Sequence, residues 1–263
     1  MDAIAMLVGI GTGILLGLLG SGGSIITIPT LIYLLGVPPK QAIAMSLGIV
    51  AISAAISALN HWHRGNVDLK LAAIFGIFGA GGAYLGTRLG IALPAPVQLT
   101  LFAIVMYAAA YRMLKVQRSV FKPVGADVVR PEAAVDALGS GLAGRLWPIA
   151  LLGLAVGGLA GFVGTGGGFL IIPALVLLAG TPMKTAVGTS LVIVTFNCIS
   201  GFLGYLHSVP IDYRLLAMFT IVMIAGSFAG TMLSHRLSQD TVKRSFGIFL
   251  ILVASYIVLQ SSL

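Results

Sequence analysis

Long apolar segments recur along the chain and are separated by short polar connections. A helix that crosses a bilayer needs about 20 mostly apolar residues. Apolar segments occupy residues 3–20, 24–36, 41–60, 69–90, 97–114, 146–163, 169–180, 185–206, 215–235 and 245–259. The short segments 24–36 and 169–180 predict half-helices, re-entrant segments or steeply packed inner helices. The pattern as a whole predicts an all-α integral membrane protein.

The most polar stretch, residues 112–145, divides the chain into two parts. It holds six basic and three acidic residues. Basic loops beside membrane segments are usually cytoplasmic. We therefore expect a first membrane repeat at residues 1–114, a cytoplasmic basic linker at 115–145 and a second membrane repeat at 146–263.

The two parts resemble each other in sequence. A shift of 144 residues lays GLLGSGGSIITIPTL (residues 17–31) on GFVGTGGGFLIIPAL (residues 161–175) without gaps. From Gly17 to Leu47, 14 of 31 positions are identical, and the same register later places Asp68 on Asp212 and Gly86 on Gly230. One register held over this length predicts an internal duplication.

Composition agrees with a membrane location. The 263 residues are 58% hydrophobic and 8% charged, whereas soluble domains carry roughly 25% charged residues. The first 20 residues lack a basic start, which predicts a first membrane segment and not a cleaved signal peptide. The net charge of +8 fits cytoplasmic loops, and without basic runs interleaved with aromatics we expect no nucleic-acid partner. A multi-pass protein of the bacterial inner membrane is expected.

The distribution of positive charge indicates opposite orientations of the two halves. The connection at residues 236–244 carries Arg236, Lys243 and Arg244, but its counterpart at residues 89–96 has no charge. Equivalent loops with opposite charge bias predict inverted repeats. Inversion requires an odd number of crossings in each half, whereas an even number would make the repeats parallel.

Carboxylates are absent from the middle of the apolar segments. All seven lie at segment ends or in loops. Cation pumps and many proton-coupled cation transporters need buried carboxylates, so a neutral or anionic substrate is favoured. The single cysteine, Cys198, lies in an apolar segment and is best explained as packing.

Two glycine-rich turns at equivalent places are the strongest candidates for a binding site. Each precedes a short segment, and a helix that starts after such a turn offers unpaired N–H groups to an anion. Short, interrupted segments in corresponding positions indicate transporter sites. Tight helix packing is the alternative explanation for these glycines. The candidate residues are Gly20, Ser21, Gly22, Gly23 and Ser24 in the first half, and Gly164, Thr165, Gly166, Gly167 and Gly168 in the second.

Polar side chains in the following segments could complete this site. Ser46 and Ser190 occur in both copies, and Asn197 is costly to bury. Hydroxyls in membrane helices more often bond their own backbone, and Asn197 could instead join helices.

Titratable side chains mark the ends of equivalent segments. His61, His63 and His207 are candidates for a proton relay, although interfacial anchoring is the favoured explanation for them. Lys40 and Lys184 could attract anions or extend to the headgroups. Asp68 and Asp212 each precede a helix and are expected to cap it.

These features together resemble the TauE/SafE, or sulfite exporter, family. The resemblance lies in the paired G-x-G-G…P segments (20–29 and 164–173), the A-x-x-x-S-L starts (42–47 and 186–191), and the Gly65-Asn66-Val67-Asp68 turn. It covers essentially the whole chain. It implies a transporter of sulfite or related organosulfur anions, usually directed outward. The family is conventionally described with an even number of spans per repeat, which conflicts with inverted repeats.

Residues and resemblance together predict a secondary transporter that exports a small anion. The negative-inside potential favours anion export by about 2.3 kcal/mol per charge per 100 mV. We expect no enzyme activity, no cofactor and no metal, and the expected partners are the anion, the lipid bilayer and, given the glycine-rich faces, a second copy in a homodimer. An anion channel and a non-transporting membrane scaffold or assembly factor remain as alternatives.

Overall fold

The computed structural model describes residues 3–19, 23–115, 142–168, 170–172, 175, 181, 183–234, 251–252 and 254–255. Every regular element in these ranges is helical. The helices are α1 (Ala3–Leu19), α2 (Gly23–Pro29), α3 (Pro39–His63), α4 (Leu69–Ala92), α5 (Ala95–Lys115), α6 (Leu142–Val163), α7 (Met183–Tyr205) and α8 (Tyr213–Ser234). Much of the predicted linker, the predicted segments 169–180 and 245–259, and the connection 236–244 lie largely or wholly outside the described residues.

Four helices are long and apolar enough to cross a membrane: α3, α4, residues 185–205 of α7 and residues 213–232 of α8. Large apolar side chains cover their outer faces, and Ile77, Ile221 and Met232 are each about two-thirds exposed or more, at 68, 67 and 73%. Such a surface suits lipid and not water. Shorter apolar helical stretches lie at 6–17, 95–108 and 149–163.

Local chemistry explains where the helices begin. The carboxylates of Asp68 and Asp212 each accept a hydrogen bond, at 3.0 Å, from the amide three residues later, Leu71 and Leu215. This satisfies an amide that the first turn of α4 or α8 leaves without a helical acceptor. The predicted caps are confirmed, and Pro39 starts α3 where a missing N–H costs nothing.

The short segment after the first glycine-rich turn is a broken helix. The seven residues of α2 end at Pro29, and the chain continues as a π-helical turn over Thr30–Leu34. Proline removes a backbone donor, which fits the change to a wider turn at this point. Thr27 and Thr30 return their hydroxyls to the backbone of α2, at Gly23 and Ile26. The segment is too short to span the bilayer, as predicted.

The centre of the molecule is an antiparallel pair, α3 and α7. Near the start of α3, Leu47 and Gly48 lie against Gly201 and Phe202, near the end of α7. At the other end of the pair, His61 lies against Gly188, near the start of α7. These two helices are more buried than α4 and α8, so they form the interior of the bundle.

Two parallel pairs flank this centre and are held together by glycines. In the α1–α8 pair, a Cβ on Gly13 would overlap the backbone of Met223, and one on Gly17 that of Ser227. In the other direction, a Cβ on Gly226 would overlap the backbone of Ile10, and one on Gly230 that of Ile14. In the α4–α6 pair, a Cβ on Gly157 would overlap the backbone of Gly79, and one on Gly161 that of Ala83. In the other direction, a Cβ on Gly82 would overlap the backbone of Leu154, and one on Gly86 that of Gly158. Small residues at these positions allow the two helix backbones of each pair to approach closely.

Replacing Gly17 by alanine should destabilise the protein, because the new methyl group meets the backbone carbonyl of Ser227 and forces α1 and α8 apart. Overpacking of this kind costs about 1–3 kcal/mol, so the melting temperature of the detergent-purified protein should fall measurably. Gly11→Ala is the matched control on the same helix, since nothing lies within 4 Å of that Cβ position. Equal melting temperatures for the two variants would contradict this packing.

Candidate functional site

The second glycine-rich turn, residues 164–168, reverses the chain at the end of α6. Gly164, Gly166 and Gly167 have φ angles of +80°, +65° and +76°, which side chains rarely adopt. The amides of Gly164 and Thr165 donate to the Ala160 carbonyl, at 2.9 and 3.0 Å, and thereby close the end of α6. A new helical turn starts when the Leu170 and Ile171 amides donate to the Gly167 carbonyl.

This turn is packed inside the bundle and not exposed at its surface. All five residues from Gly164 to Gly168 are buried. A Cβ on Gly164 would overlap Ile43 of α3, and one on Gly166 would overlap the Cys198 sulfur of α7. A Cβ on Gly167 would lie 2.6 Å from the Ala160 Cβ of α6. The turn therefore fills the space between α3, α6 and α7, beside the central part of α7.

Two polar side chains in this region have no hydrogen-bond partner among the described residues. Thr165 in the turn is 1% exposed, and its hydroxyl oxygen is unpartnered. Asn197, one residue before Cys198, is 0% exposed, and both its amide nitrogen and its amide oxygen are unpartnered. Burying such groups without partners is costly, so their presence calls for an explanation such as a ligand.

The chemistry of this region suits a small oxyanion. Asn197 offers an amide N–H₂, Thr165 offers a hydroxyl, and a helix that starts at Gly167 leaves its first amides without helical acceptors. The buried polar side chains in the described part of the chain are hydroxyls and amides, and none is charged. A set of neutral donors can bind an anion without fixing it in place by a counter-charge.

Only part of the first glycine-rich turn can be compared. Gly20, Ser21, Gly22 and the side chain of Ser24 lie outside the described residues. Gly23 is buried against Leu16 of α1 and Met223 of α8. Gly167 lies against Ala160 of α6 in the corresponding way, so the chain folds back on the preceding helix after both turns.

Ser46 and Ser190 are occupied by backbone contacts. The Ser46 hydroxyl lies 2.8 Å from the Ile43 carbonyl and 3.0 Å from the Gly164 carbonyl, so it ties α3 to the turn. The Ser190 hydroxyl donates to the Val187 carbonyl at 2.8 Å. Ser46 thus holds the turn in position, and a direct role of either hydroxyl in binding substrate stays a prediction.

The histidines do not form one cluster. His63 follows Trp62 at the end of α3 and stacks on its ring, with centroids 6.5 Å apart. His207 is exposed after the end of α7, and because α3 and α7 are antiparallel these two histidines lie at opposite ends of the pair. His61 packs on α7 at Gly188. Any relay would therefore involve separate steps at the two ends.

Lys40, one of the two candidate lysines, contacts the end of α4. The Lys40 ammonium donates to the Ile91 carbonyl at 2.6 Å, where it stabilises the carbonyl end of α4. The side chain of Lys184 lies outside the described part of the chain.

Three residues near the site did not stand out in the sequence. Gln98 of α5 donates to the Phe162 carbonyl at 2.7 Å and to the Tyr205 hydroxyl at 3.0 Å, joining three helix ends. Gly79 lies beneath the Asn197 amide, and the hydroxyl of Ser53 is buried without a partner among the described residues. Gln98 and Ser53 could have been noticed as polar positions within apolar segments.

The burial of Cys198 under the turn can be tested directly, because it is the only cysteine in the sequence. We expect N-ethylmaleimide to leave the purified native protein unlabelled under conditions that fully label the denatured protein. Ser208→Cys places a thiol at an exposed position and should react promptly, while Cys198→Ala should not react at all. Rapid labelling of native Cys198 would show that the turn does not cover α7.

Comparison with known proteins agrees with this picture of a membrane protein. The profile of the family described as sulfite exporter TauE/SafE matches residues 5–257. A "Probable membrane transporter protein" of Xylella fastidiosa is 33% identical over 269 residues, covering 99% of this chain and 98% of the relative. "Probable membrane transporter protein YdhB" of Bacillus subtilis is 26% identical, covering 88% of this chain and 89% of the relative. No solved structure matches the chain. The chain therefore belongs to the sulfite exporter TauE/SafE family of multi-pass membrane transporters.

Proposed function

We propose that this protein is a secondary transporter that exports sulfite or a related organosulfur anion across the bacterial inner membrane. The observation that carries the proposal is the pair of buried, unpartnered donors, Thr165 and Asn197, beside the Gly164–Gly168 turn. The sulfur-containing substrate follows from the family description, and the structure supports the broader class of small oxyanion.

The residues assigned to binding are those that can donate to the anion. Thr165 supplies a hydroxyl, Asn197 supplies an amide, and the backbone of Gly166–Gly168 supplies N–H groups at the start of a helical turn. Ser46 keeps the turn in place from α3. Gly20–Ser24 and Ser190 are proposed as the corresponding elements of the first turn.

We further propose that the two halves are inverted repeats. The shift of 144 residues converts each glycine contact of the α1–α8 pair into a glycine contact of the α4–α6 pair. For example, the contact of Gly13 with Met223 becomes the contact of Gly157 with Gly79. In addition, α3 and α7 are equivalent in sequence and pack antiparallel, as expected for equivalent helices of opposite orientation.

This architecture provides a mechanism for alternating access. Each glycine-held pair joins one helix from each half, so the α1–α8 and α4–α6 pairs can move as rigid units around the central α3–α7 pair. The turn packs against both central helices, at Ile43 and Cys198. A shift of either unit would change which side of the membrane reaches Thr165 and Asn197.

Direction and coupling follow from charge. The negative-inside potential drives an anion outward by about 2.3 kcal/mol per charge per 100 mV. His63 and His207, at opposite ends of the α3–α7 pair, are placed where a proton could enter on one side and leave on the other. Proton coupling and a homodimeric assembly stay predictions.

Transport measurements on purified protein in liposomes test the function and the site together. Wild-type protein should give saturable sulfite flux, measured with and without an imposed pH gradient and membrane potential. Asn197→Ala and Thr165→Val should each raise the KM for sulfite about tenfold or more, because each removes a donor to a charged ligand.

Thr195→Val is the matched control for these variants. Thr195 lies two residues from Asn197 on α7, and its hydroxyl donates to the carbonyl of Leu191 on its own helix. Flux through this variant should equal wild-type flux. Absence of flux for any sulfur oxyanion in folded wild-type protein would refute the proposed function, and normal KM values in both site variants would refute the site.

Cysteine accessibility tests the inversion independently. Arg64 and Ser208 occupy equivalent exposed positions after α3 and α7. In a Cys198→Ala background, single cysteines at these positions should react with a membrane-impermeant maleimide from opposite sides of sealed vesicles. Labelling of both from the same side would show parallel repeats.

A further inference from the structure

The two halves differ at two positions that bear directly on the site. Gly79 of α4 corresponds to Met223 of α8 in the shift of 144 residues. Likewise, Asn197 of α7 corresponds to Ser53 of α3. The second half therefore combines a glycine with an amide, where the first half combines a methionine with a small hydroxyl.

The absence of a side chain at Gly79 provides the space that the Asn197 amide occupies. A Cβ on Gly79 would lie 2.6 Å from the amide oxygen and 3.3 Å from the amide nitrogen, and its three nearest atoms all belong to Asn197. Real Cβ atoms essentially never approach another atom as closely as the 2.6 Å to the amide oxygen. The amide can keep its position only because residue 79 has no side chain.

Met223 closes the corresponding space in the first half. It is 0% exposed, and its terminal methyl group packs against Gly23, beside the start of α2. An apolar side chain at this place offers an anion no donor and excludes water. Ser53, which corresponds to Asn197 in sequence, offers a single hydroxyl, itself buried without a partner among the described residues. Asn197 offers two N–H donors and a carbonyl oxygen.

We infer that Gly79 is the positioning residue that seats the Asn197 amide of the proposed oxyanion site, which lies in the second half between the Gly164–Gly168 turn and α7. Met223 closes the equivalent place in the first half. This inference rests on the proposed function, because it takes Thr165 and Asn197 as the binding donors.

Equilibrium binding of radiolabelled sulfite to the purified full-length protein tests the inference. Wild-type protein should bind sulfite saturably. Gly79→Ala should weaken binding about tenfold or more, because the new methyl group displaces the amide that donates to the anion. Gly81→Ala is the matched control on α4, since nothing lies within 4 Å of that Cβ position, and it should bind as wild type.

A double-mutant cycle separates positioning from general damage to the fold. In an Asn197→Ala background, Gly79→Ala should cause no further loss of affinity, because the overlapping amide is gone. If Gly79→Ala alone fails to fold, recovery of a folded protein in the double variant would support the same overlap. An additional loss in the double variant would overturn the positioning role.

The remaining outcomes distinguish this inference from the proposed function. Wild-type affinity in Gly79→Ala, together with weakened binding in Asn197→Ala, would overturn the inference and leave the proposed site intact. Wild-type affinity in both Asn197→Ala and Thr165→Val would overturn the proposed site, and this inference with it.

Discussion

The close approach of helix backbones at glycine is the constraint on which the rest of the structure depends. Lipid offers no hydrophobic driving force between apolar helices, so their association relies on van der Waals contact over short distances. In the α1–α8 and α4–α6 pairs a single added carbon atom would overlap a backbone carbonyl. This contact fixes the two outer units, which flank the central α3–α7 pair and the buried turn.

A second consequence of tight packing is that each polar group inside the bundle needs a hydrogen-bond partner of its own. Ser46, Gln98 and Lys40 all donate to carbonyls of other elements and thereby join the ends of helices. Thr165 and Asn197 differ, since no partner for them exists in the described part of the chain. These two unpartnered groups lie beside the same turn, which supports the ligand site proposed for them.

The sequence predicted the helices well, because bilayer length and apolar composition determine them. The segment predicted at residues 69–90 is α4 at Leu69–Ala92, and the segment predicted at residues 3–20 is α1 at Ala3–Leu19. The capping aspartates were predicted from the same local chemistry. The start of α6 at Leu142, four residues before the predicted 146, lies in the glycine-rich stretch GSGLAGR, where no apolar boundary marks it.

Side-chain partners could not be predicted in the same way. The Ser46 hydroxyl reaches a carbonyl 118 residues away, and the Asn197 amide depends on the absence of a side chain at Gly79 of another helix. Such contacts are set by tertiary packing, and periodicity along one helix does not contain them. The duplicated sequence also suggests two equal sites, whereas Gly79 and Met223 make the two halves unequal. In the proposed arrangement of inverted repeats, two similar units can move while the anion binds beside the Asn197 amide of the second half.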